Sequence, residues 1–157
     1  MSRSIQDEIK QRRPFDSPAQ EAVIALLRTA SDVAHGLDAA LAPEGVTRAQ
    51  FNVLRILRGA DGALPTMEVA ERMVDHTPGI TRLLDRLEEG GVVARVPCAR
   101  DRRRTLCTIT DAGRALLDRV DPLVTAFTQR AMQRLDAPSS ASLTHLLAEV
   151  REGVHTA

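Results

Sequence analysis

Residues 77–110 read TPGITRLLDRLEEGGVVARVPCARDRRRTLCTIT, and this stretch decides the fold. Its first part predicts a helix that begins at Thr77-Pro78, where a side-chain acceptor precedes a proline in the first helical position. The helix is expected to end at Gly90-Gly91, because glycine adopts the left-handed conformation that terminates helices without a Cβ penalty. The rest of the stretch is rich in β-branched residues and arginine.

The predicted helix has two faces of different chemistry. Apolar side chains at spacings of three and four commit one face to a core; they are Ile80, Leu83, Leu84 and Leu87. The opposite face carries side chains that suit base edges and phosphates; they are Pro78, Thr81, Arg82, Asp85 and Glu89, with Arg86 at the flank. We expect Thr81, Arg82 and Arg86 to enter the major groove of DNA. Pro78 and Gly79 would bring the N-terminus of the helix close to the DNA backbone.

A shorter helix is predicted upstream. It begins at Pro65-Thr66, and only Val74 to His76 separate its apolar pattern from Thr77. Two short helices joined by about three residues are characteristic of a helix-turn-helix. Thr66 and Thr77, which begin the two helices, are therefore also candidate DNA contacts.

Two strands are predicted downstream. Residues 92–96 are rich in β-branched valine and bounded by Gly91 and Pro97, and residues 105–109 read Thr-Leu-Cys-Thr-Ile. This pattern predicts a β-hairpin with residues 97–104 as its loop.

The loop of the hairpin is basic. Five arginines and one aspartate lie between Arg95 and Arg104, which gives a local net charge of +4. A flexible basic loop beside a recognition helix indicates a winged helix-turn-helix. Arg100, Arg102 and Arg104 are expected to contact phosphates or the minor groove, whose negative potential attracts arginine when the groove is narrow.

Long amphipathic helices are predicted on both sides of this unit. One begins at Ser17-Pro18, and a second begins at a Thr47 capping box and ends at Gly59. After the wing, an apolar stripe continues to about residue 135 with an expected kink at Pro122. A last helix follows the break at residues 138–140 and ends near Gly153.

The first and last of these helices need a partner surface. They pack either on their own domain alone or against the same helices of a second subunit, and we favour the second interpretation. The charged segment 2–13 is expected to be a mobile arm or a dimer-edge segment. The prediction is a mainly α, single-domain chain over residues 1–157, with dimerisation helices in 1–45 and 115–157 and a winged helix-turn-helix in 46–114.

Four segments together resemble one known family. They are residues 77–90; Asp101-Arg102-Arg103, followed seven residues after Arg103 by Thr110; Thr110 to Arg114; and, more weakly, Phe51 to Leu57. This combination is similar to the MarR (multiple antibiotic resistance regulator) family over roughly residues 20–150. The combination is specific, whereas any single segment would be weak.

The resemblance implies a homodimeric transcriptional regulator, usually a repressor. Members of the family bind a pseudo-palindromic double-stranded DNA operator and often release it when a small anionic or phenolic effector binds between the dimer helices and the DNA-reading part. Arg28, His35 and Arg55 are candidates to contact an anionic effector of unknown identity. The family pattern also suggests that Arg103 and Asp101, although candidate DNA contacts, tie the wing loop to the body.

Composition is consistent with this interpretation. The 157 residues are 43% apolar and have a formal net charge of zero, which argues against a protein that coats DNA through bulk charge. DNA affinity then has to come from a local basic patch. No apolar run approaches 18 residues and no signal-peptide pattern is evident, so we expect a cytoplasmic protein without a membrane association.

Other kinds of site find little support in the sequence. The cysteines and histidines show no metal-ligand spacing, so no metal and no cofactor are predicted. Cys107 is expected to fill the core, and Cys98 is expected to be more exposed. No nucleophile and base set, phosphate-binding glycine loop or carboxylate pair indicates an enzyme. The alternative to a DNA-binding regulator is a winged helix that binds protein, but such a module has no need for a concentrated positive loop.

Overall fold

The computed structural model describes residues 4–75, 79–101 and 103–156. The candidate DNA contacts Thr77, Pro78 and Arg102 lie outside the described residues. In chain order the elements are α1 (Ile5–Glu8), α2 (Pro18–Leu41), a 3-10 turn (Ala42–Glu44), α3 (Arg48–Arg58), β1 (Leu64–Pro65), α4 (Thr66–Glu71), α5 (Ile80–Glu89), β2 (Val93–Pro97), β3 (Thr105–Ile109), α6 (Asp111–Met132) and α7 (Ala137–His155).

The three strands form one antiparallel sheet in the order β1-β3-β2. Val93 of β2 lies opposite Ile109 of β3, so the hairpin predicted from the sequence is confirmed. On the other edge of β3, Leu64 pairs with Cys107. The sequence did not predict β1, because a strand of two residues is too short to show any alternation.

The hydrophobic core lies between α3, α5, α6 and the sheet. The predicted apolar face of α5 is confirmed, since Leu84 and Leu87 are buried and Ile80 and Leu83 pack against the core. The largest fully buried side chains come from many different segments; they are Leu41, Leu54, Leu84, Leu117, Val53, Val69, Val93, Val120 and Cys107.

Helix caps explain where α2 and α3 begin. The Thr47 capping box is confirmed: Thr47 Oγ1 accepts from the Gln50 backbone N–H at 3.2 Å, and Gln50 Oε1 accepts from the Thr47 N–H at 2.9 Å. Ser17 also caps α2 through the Gln20 N–H. The Gln20 side chain, however, accepts from the Asp16 N–H rather than from that of Ser17, so the reciprocal bond is shifted by one residue.

The start predicted for the helix over residues 77–90 was wrong. Helix α5 begins at Ile80, with Gly79 as its cap in the left-handed conformation (φ +89°) and without a side-chain cap. Left-handed backbone disfavours residues that have a Cβ, so a glycine at this point shifts the helix start along the chain. Since α4 ends at Glu71, the connection between the two helices is also longer than the three residues predicted. The predicted end at Gly90-Gly91 is confirmed by the Gly90 cap and by Gly91 at φ +70°.

The break predicted before the last helix was also wrong. Asp136 caps α7 by accepting from the Ser139 N–H at 2.9 Å, and Pro138 lies in the first turn. Proline fits there because the N–H groups of a first turn have no partner within the helix. Helix α6 runs through Pro122 to Met132 without ending there.

Helices α2 and α7 keep apolar side chains at the surface. No residue of α7 is buried, although the helix is 19 residues long. Val23 of α2 is 52% exposed, and Leu146 and Val154 of α7 are 61% and 68% exposed. Among the residues that the structure describes, no helix is both long and apolar enough to cross a membrane.

Candidate nucleic-acid interface

The face of α5 that points away from the core is available to a ligand. Thr81, Arg82 and Arg86 are not buried, and Gly79 at the N-terminal end of the helix is exposed. Neither Arg82 nor Arg86 forms an ion pair within the described part of the chain. Both guanidinium groups are therefore free to donate to an anion or to a base edge.

Asp85, which was expected to lie free on the outer face of α5, is paired with Arg95 of β2. Arg95 Nη2 lies 2.6 Å from Asp85 Oδ1 and 2.6 Å from Glu88 Oε2, and Arg95 Nε donates to the same Glu88 oxygen at 2.8 Å. The Arg95 side chain is only 18% exposed. The hydrogen bond to Glu88 and that to Asp85 together raise the pKa of Arg95 despite the opposing effect of burial.

These contacts correct two predictions from the sequence. Asp85 is not free on the outer face of α5, and the charge of Arg95 is used in these contacts instead of adding to the wing loop. The sequence pattern missed this because the partners lie ten and seven residues apart and on different elements. Their physical effect is to join β2, the first strand of the wing, to the recognition helix by charge-assisted hydrogen bonds.

The wing loop is ordered by its own backbone and by Asp101. Cys98 N–H donates to the Arg104 carbonyl at 2.8 Å, and Arg104 N–H donates to the Asp101 carbonyl at 2.9 Å. Asp101 Oδ1 accepts from the Arg103 N–H at 3.0 Å. Asp101 thus shapes the tip of the loop, and Arg100, Arg103 and Arg104 remain exposed around it.

One groove brings together predicted contacts from three elements. Its lining includes Thr66 at the start of α4, Thr81 of α5, and Arg103 and Arg104 of the wing. The groove has a volume of about 280 Å³. The sequence analysis did not propose the other lining residues as contacts; they are Pro65, Met67, Arg95 and Thr105. Met67, an apolar residue in the first turn of α4, is 67% exposed, which the sequence did not indicate.

The three candidate effector contacts are not brought together. Arg28 pairs with Asp32 on the exposed surface of α2 at 3.3 Å, and His35 is exposed on the same helix. Arg55 lies over the ring of Phe51, with 5.6 Å between its guanidinium carbon and the ring centroid. Of the three, only Arg55 lines either of the two cavities beside α3.

The two cavities beside α3 differ in chemistry. The one towards α6 has a volume of about 400 Å³, and its Arg58 is already paired with Asp121 at 2.6 Å. The one towards α2 has a volume of about 340 Å³ and a mainly apolar lining, which includes Ala30, Val33, Ala34, Leu37, Ala49, Phe51, Met73 and Val74. Arg55 supplies its positive charge, because the other lining arginine, Arg48, is paired with Asp38 and with Asp75, which also lines the cavity.

The two cysteines occupy the kinds of position predicted for them. Cys107 is fully buried, and burial raises the pKa of its thiol, so it fills the core as expected. Cys98 is half-buried at the base of the wing. Within the described residues, no group of three or more His, Cys, Asp or Glu side chains is placed to hold a metal ion.

Known proteins resemble this chain in both sequence and fold. A family model described as "MarR family" matches residues 44–104, which include α3 to the wing. An HTH-type transcriptional repressor of Mycobacterium tuberculosis is 33% identical over 111 residues, which are 71% of this chain and 79% of the repressor. The multiple antibiotic resistance protein MarR of Escherichia coli is 34% identical over 70% of this chain and 76% of its own length.

A solved structure extends the similarity to nearly the whole chain. A cysteine-to-serine mutant of Escherichia coli MarR, crystallised with operator DNA, superposes with a TM-score of 0.73 and 29% identity over 93% of this chain and 97% of that chain. Two relatives are more than 30% identical to this chain over more than two thirds of their length, and the fold is shared. The chain belongs to the MarR family.

Proposed function

We propose that this chain is a sequence-specific DNA-binding transcriptional regulator, acting as a ligand-responsive repressor on a pseudo-palindromic operator. One observation carries the proposal: Thr81, Arg82 and Arg86, on the outer face of α5, lie beside a basic wing whose Arg103 and Arg104 share a groove with Thr81. A helix end that offers arginine to base edges, next to arginines that can reach phosphates, is the arrangement by which winged helices read DNA.

The relatives support this assignment. The similar protein of Mycobacterium tuberculosis is named a transcriptional repressor, and the similar structure from Escherichia coli contains operator DNA. The same reasoning leads us to propose that the chain is not an enzyme. The alternative, a winged helix that binds protein, fits the exposed wing arginines less well, since such a module does not need local positive charge.

The local charge matters because the chain as a whole carries none. With a formal net charge of zero, the protein is not drawn to DNA by its net charge. The arginines at the surface of α5 and the wing then supply the positive charge on one side of the molecule; they are Arg82, Arg86, Arg100, Arg103 and Arg104. Binding is therefore expected to depend on contacts at defined positions and not on bulk charge.

We further propose that the protein works as a homodimer through α2 and α7. Helix α7 has no buried residue, and both helices expose apolar side chains, which is costly in water unless a second surface covers them. A two-fold dimer would place two recognition helices about one DNA turn apart, or about 10 base pairs between half-site centres. The operator would then be a pseudo-palindrome.

The cavity between α2 and α3 is our candidate for the effector site. Its apolar lining suits the body of a small organic molecule, and Arg55 would hold an anionic group. The chain has no tyrosine or tryptophan and only three phenylalanines, so stacking on an aromatic effector would be limited to Phe51 at this cavity.

Replacing Arg82 with alanine tests the reading face. We expect Arg82→Ala to weaken binding to the cognate operator by about 1–3 kcal/mol and to relax base preference, because a bidentate contact to a base edge is lost. The measurement is a gel-shift titration at fixed salt with DNA that flanks the protein's own gene, followed by single-base variants of the bound site. Arg130→Ala, in the last turn of α6, removes the same charge away from this face and serves as the control. Equal affinity and equal base preference in the two variants would exclude α5 as the reader.

The wing arginines are expected to act through phosphates. Arg100→Ala and Arg104→Ala should each weaken binding to every DNA sequence and lower the slope of log K against log salt by about one, because one fewer counterion is released. Titrations of operator and unrelated DNA across a salt series measure both quantities. If neither variant changes the slope relative to Arg130→Ala, the wing does not contact DNA.

A further inference from the structure

The chain just after α4 is held against α3. Val74 N–H donates to Asn52 Oδ1 at 2.8 Å, and Asn52 lies in the middle of α3. Met73, one residue earlier, is buried in the core. The backbone at Val74 is therefore held by a side chain of α3, next to the apolar packing of Met73.

A second set of contacts joins α2 to the same part of the chain. Arg48, the first residue of α3, donates from Nε to Asp38 Oδ1 at 2.8 Å and from Nη1 to Asp75 Oδ2 at 3.5 Å. A guanidinium group is planar and has donors on two edges, so one side chain can bridge two carboxylates, which an ammonium group does less well. Arg48 thus links α2, α3 and the residue that follows Val74.

The contacts made by Asn52 and Arg48 affect the geometry of the fold more than its stability. The Asp38 and Asp75 side chains are 47% and 65% exposed, and ion pairs so exposed contribute little to the free energy of unfolding. None of the groups involved lines the groove shared by α5 and the wing. The two contacts do fix Val74 and Asp75 in position relative to α2, the helix that we assign to the dimer interface. Asp75 lies five residues before the start of α5.

We propose that Arg48 and Asn52 are positioning residues that set the separation of the two recognition helices, and thereby the half-site spacing that the dimer accepts. The inference rests on the proposed function, because it requires a dimer that reads two half-sites. The far end of α5 is already joined to β2 through Arg95, so the N-terminal approach is the part of the helix that Arg48 and Asn52 control.

The experiment is a spacing series. Operators with the two half-sites moved apart or together in steps of one base pair, and an isolated half-site, are titrated with wild-type protein, Arg48→Ala, Asn52→Ala and the double variant. Each base pair changes the half-site separation by about 3.4 Å and also rotates one half-site relative to the other, so a rigid dimer should have one sharp optimum. Wild-type protein is expected to lose about tenfold in affinity at one base pair from that optimum.

At the optimal spacing, the double variant is expected to bind roughly tenfold more weakly than wild-type protein. At neighbouring spacings the difference from wild-type protein should be much smaller, so the affinity of the double variant should depend little on spacing. Its affinity for the isolated half-site should equal that of wild-type protein, since no DNA contact has been removed. Arg48→Lys, which keeps the charge but lacks the fork, should also broaden the profile. Arg119→Ala removes another ion pair between elements, with Glu44 at 2.9 Å, and should keep the wild-type profile.

The outcomes separate the inference from the function on which it rests. A sharp optimum in wild-type protein that persists in Arg48→Ala, Asn52→Ala and the double variant overturns the positioning role and leaves the proposed function intact. An equal loss at every spacing and at the half-site also overturns it, because that pattern indicates general destabilisation. If wild-type protein binds a spaced operator no better than a half-site, the dimeric reading itself fails. Thermal unfolding of each variant checks that it is folded. If both single variants were unfolded, the positioning role would be overturned, because the contacts of Arg48 and Asn52 would then be required for the fold itself.

Discussion

Replacing Gly113 with alanine is expected to lower the free energy of unfolding by about 3 kcal/mol or more. A Cβ at this position would lie 2.7 Å from Ile109 Cγ1 and closer still to the Val92 carbonyl oxygen. A side chain can rotate away from such a contact, but a carbonyl in the main chain cannot. The start of α6 would therefore have to move away from the sheet.

The surrounding hydrogen bonds make that movement costly. Thr110 Oγ1 donates to the Gly91 carbonyl at 2.7 Å and accepts from the Gly113 N–H at 3.1 Å, and Thr110 N–H donates to the Val92 carbonyl at 3.2 Å. These bonds hold the end of the recognition helix, the wing and α6 together. A shift at Gly113 would displace both reading elements, so we expect operator binding to be weakened along with stability.

Denaturant unfolding followed by circular dichroism measures the effect of Gly113→Ala. Gly153→Ala is the matched control, because it is the same substitution in a helix where nothing lies within 4 Å of an added Cβ. Alanine there should be neutral or should stabilise the helix by roughly 0.5–1 kcal/mol. A loss of stability at Gly113 no larger than that at Gly153 would mean that the contact with Val92 relaxes at little cost.

Placing carboxylates on the apolar stripe of α7 should have the largest effect on DNA binding. We expect the double variant Leu146→Asp, Val150→Asp to be monomeric at micromolar concentration, because a dimer would have to bury unpaired charges. The two side chains are 61% and 45% exposed in the single chain, so the fold of the subunit should not change. Affinity for the full operator should fall by about a hundredfold or more, since the second half-site no longer binds within the same assembly.

Sedimentation and operator titration together test this prediction. His145→Asp adds an acid to a different face of the same helix, where the native side chain is 74% exposed, and should remain dimeric with normal operator affinity. The double variant should bind an isolated half-site as wild-type protein does. A double variant that is still dimeric would exclude this face of α7 as the interface.

The reading elements were predictable because their pattern is local. The apolar spacing of Leu84 and Leu87 and the terminating Gly90-Gly91 lie within one helix, and these features are confirmed. The two strands of the wing were also located nearly to the residue, because β-branched residues and a bounded loop suffice to predict a hairpin. Local periodicity is readable whenever the interacting positions are less than about two turns apart.

Errors arose where a single backbone conformation or a distant partner decided the outcome. Gly79, in the left-handed conformation, starts α5 later than the Thr77-Pro78 signal predicted. Asp136 caps α7 earlier than the proline and serines suggested. Arg95, counted from the sequence as part of a basic wing, is paired with Asp85 and Glu88 of the recognition helix.

The sequence by itself determined the fold class, the order of the longer helices and the wing, and the outward position of Thr81, Arg82 and Arg86 on α5, because each follows from residue spacing within one element. Only the tertiary structure decided which charges remain free and which are used internally. It brought Thr66, Thr81, Arg103 and Arg104 to one groove, and it placed Arg48 between Asp38 and Asp75. Such contacts join residues on different elements, and their formation depends on how the packed helices orient the side chains, which no local pattern records.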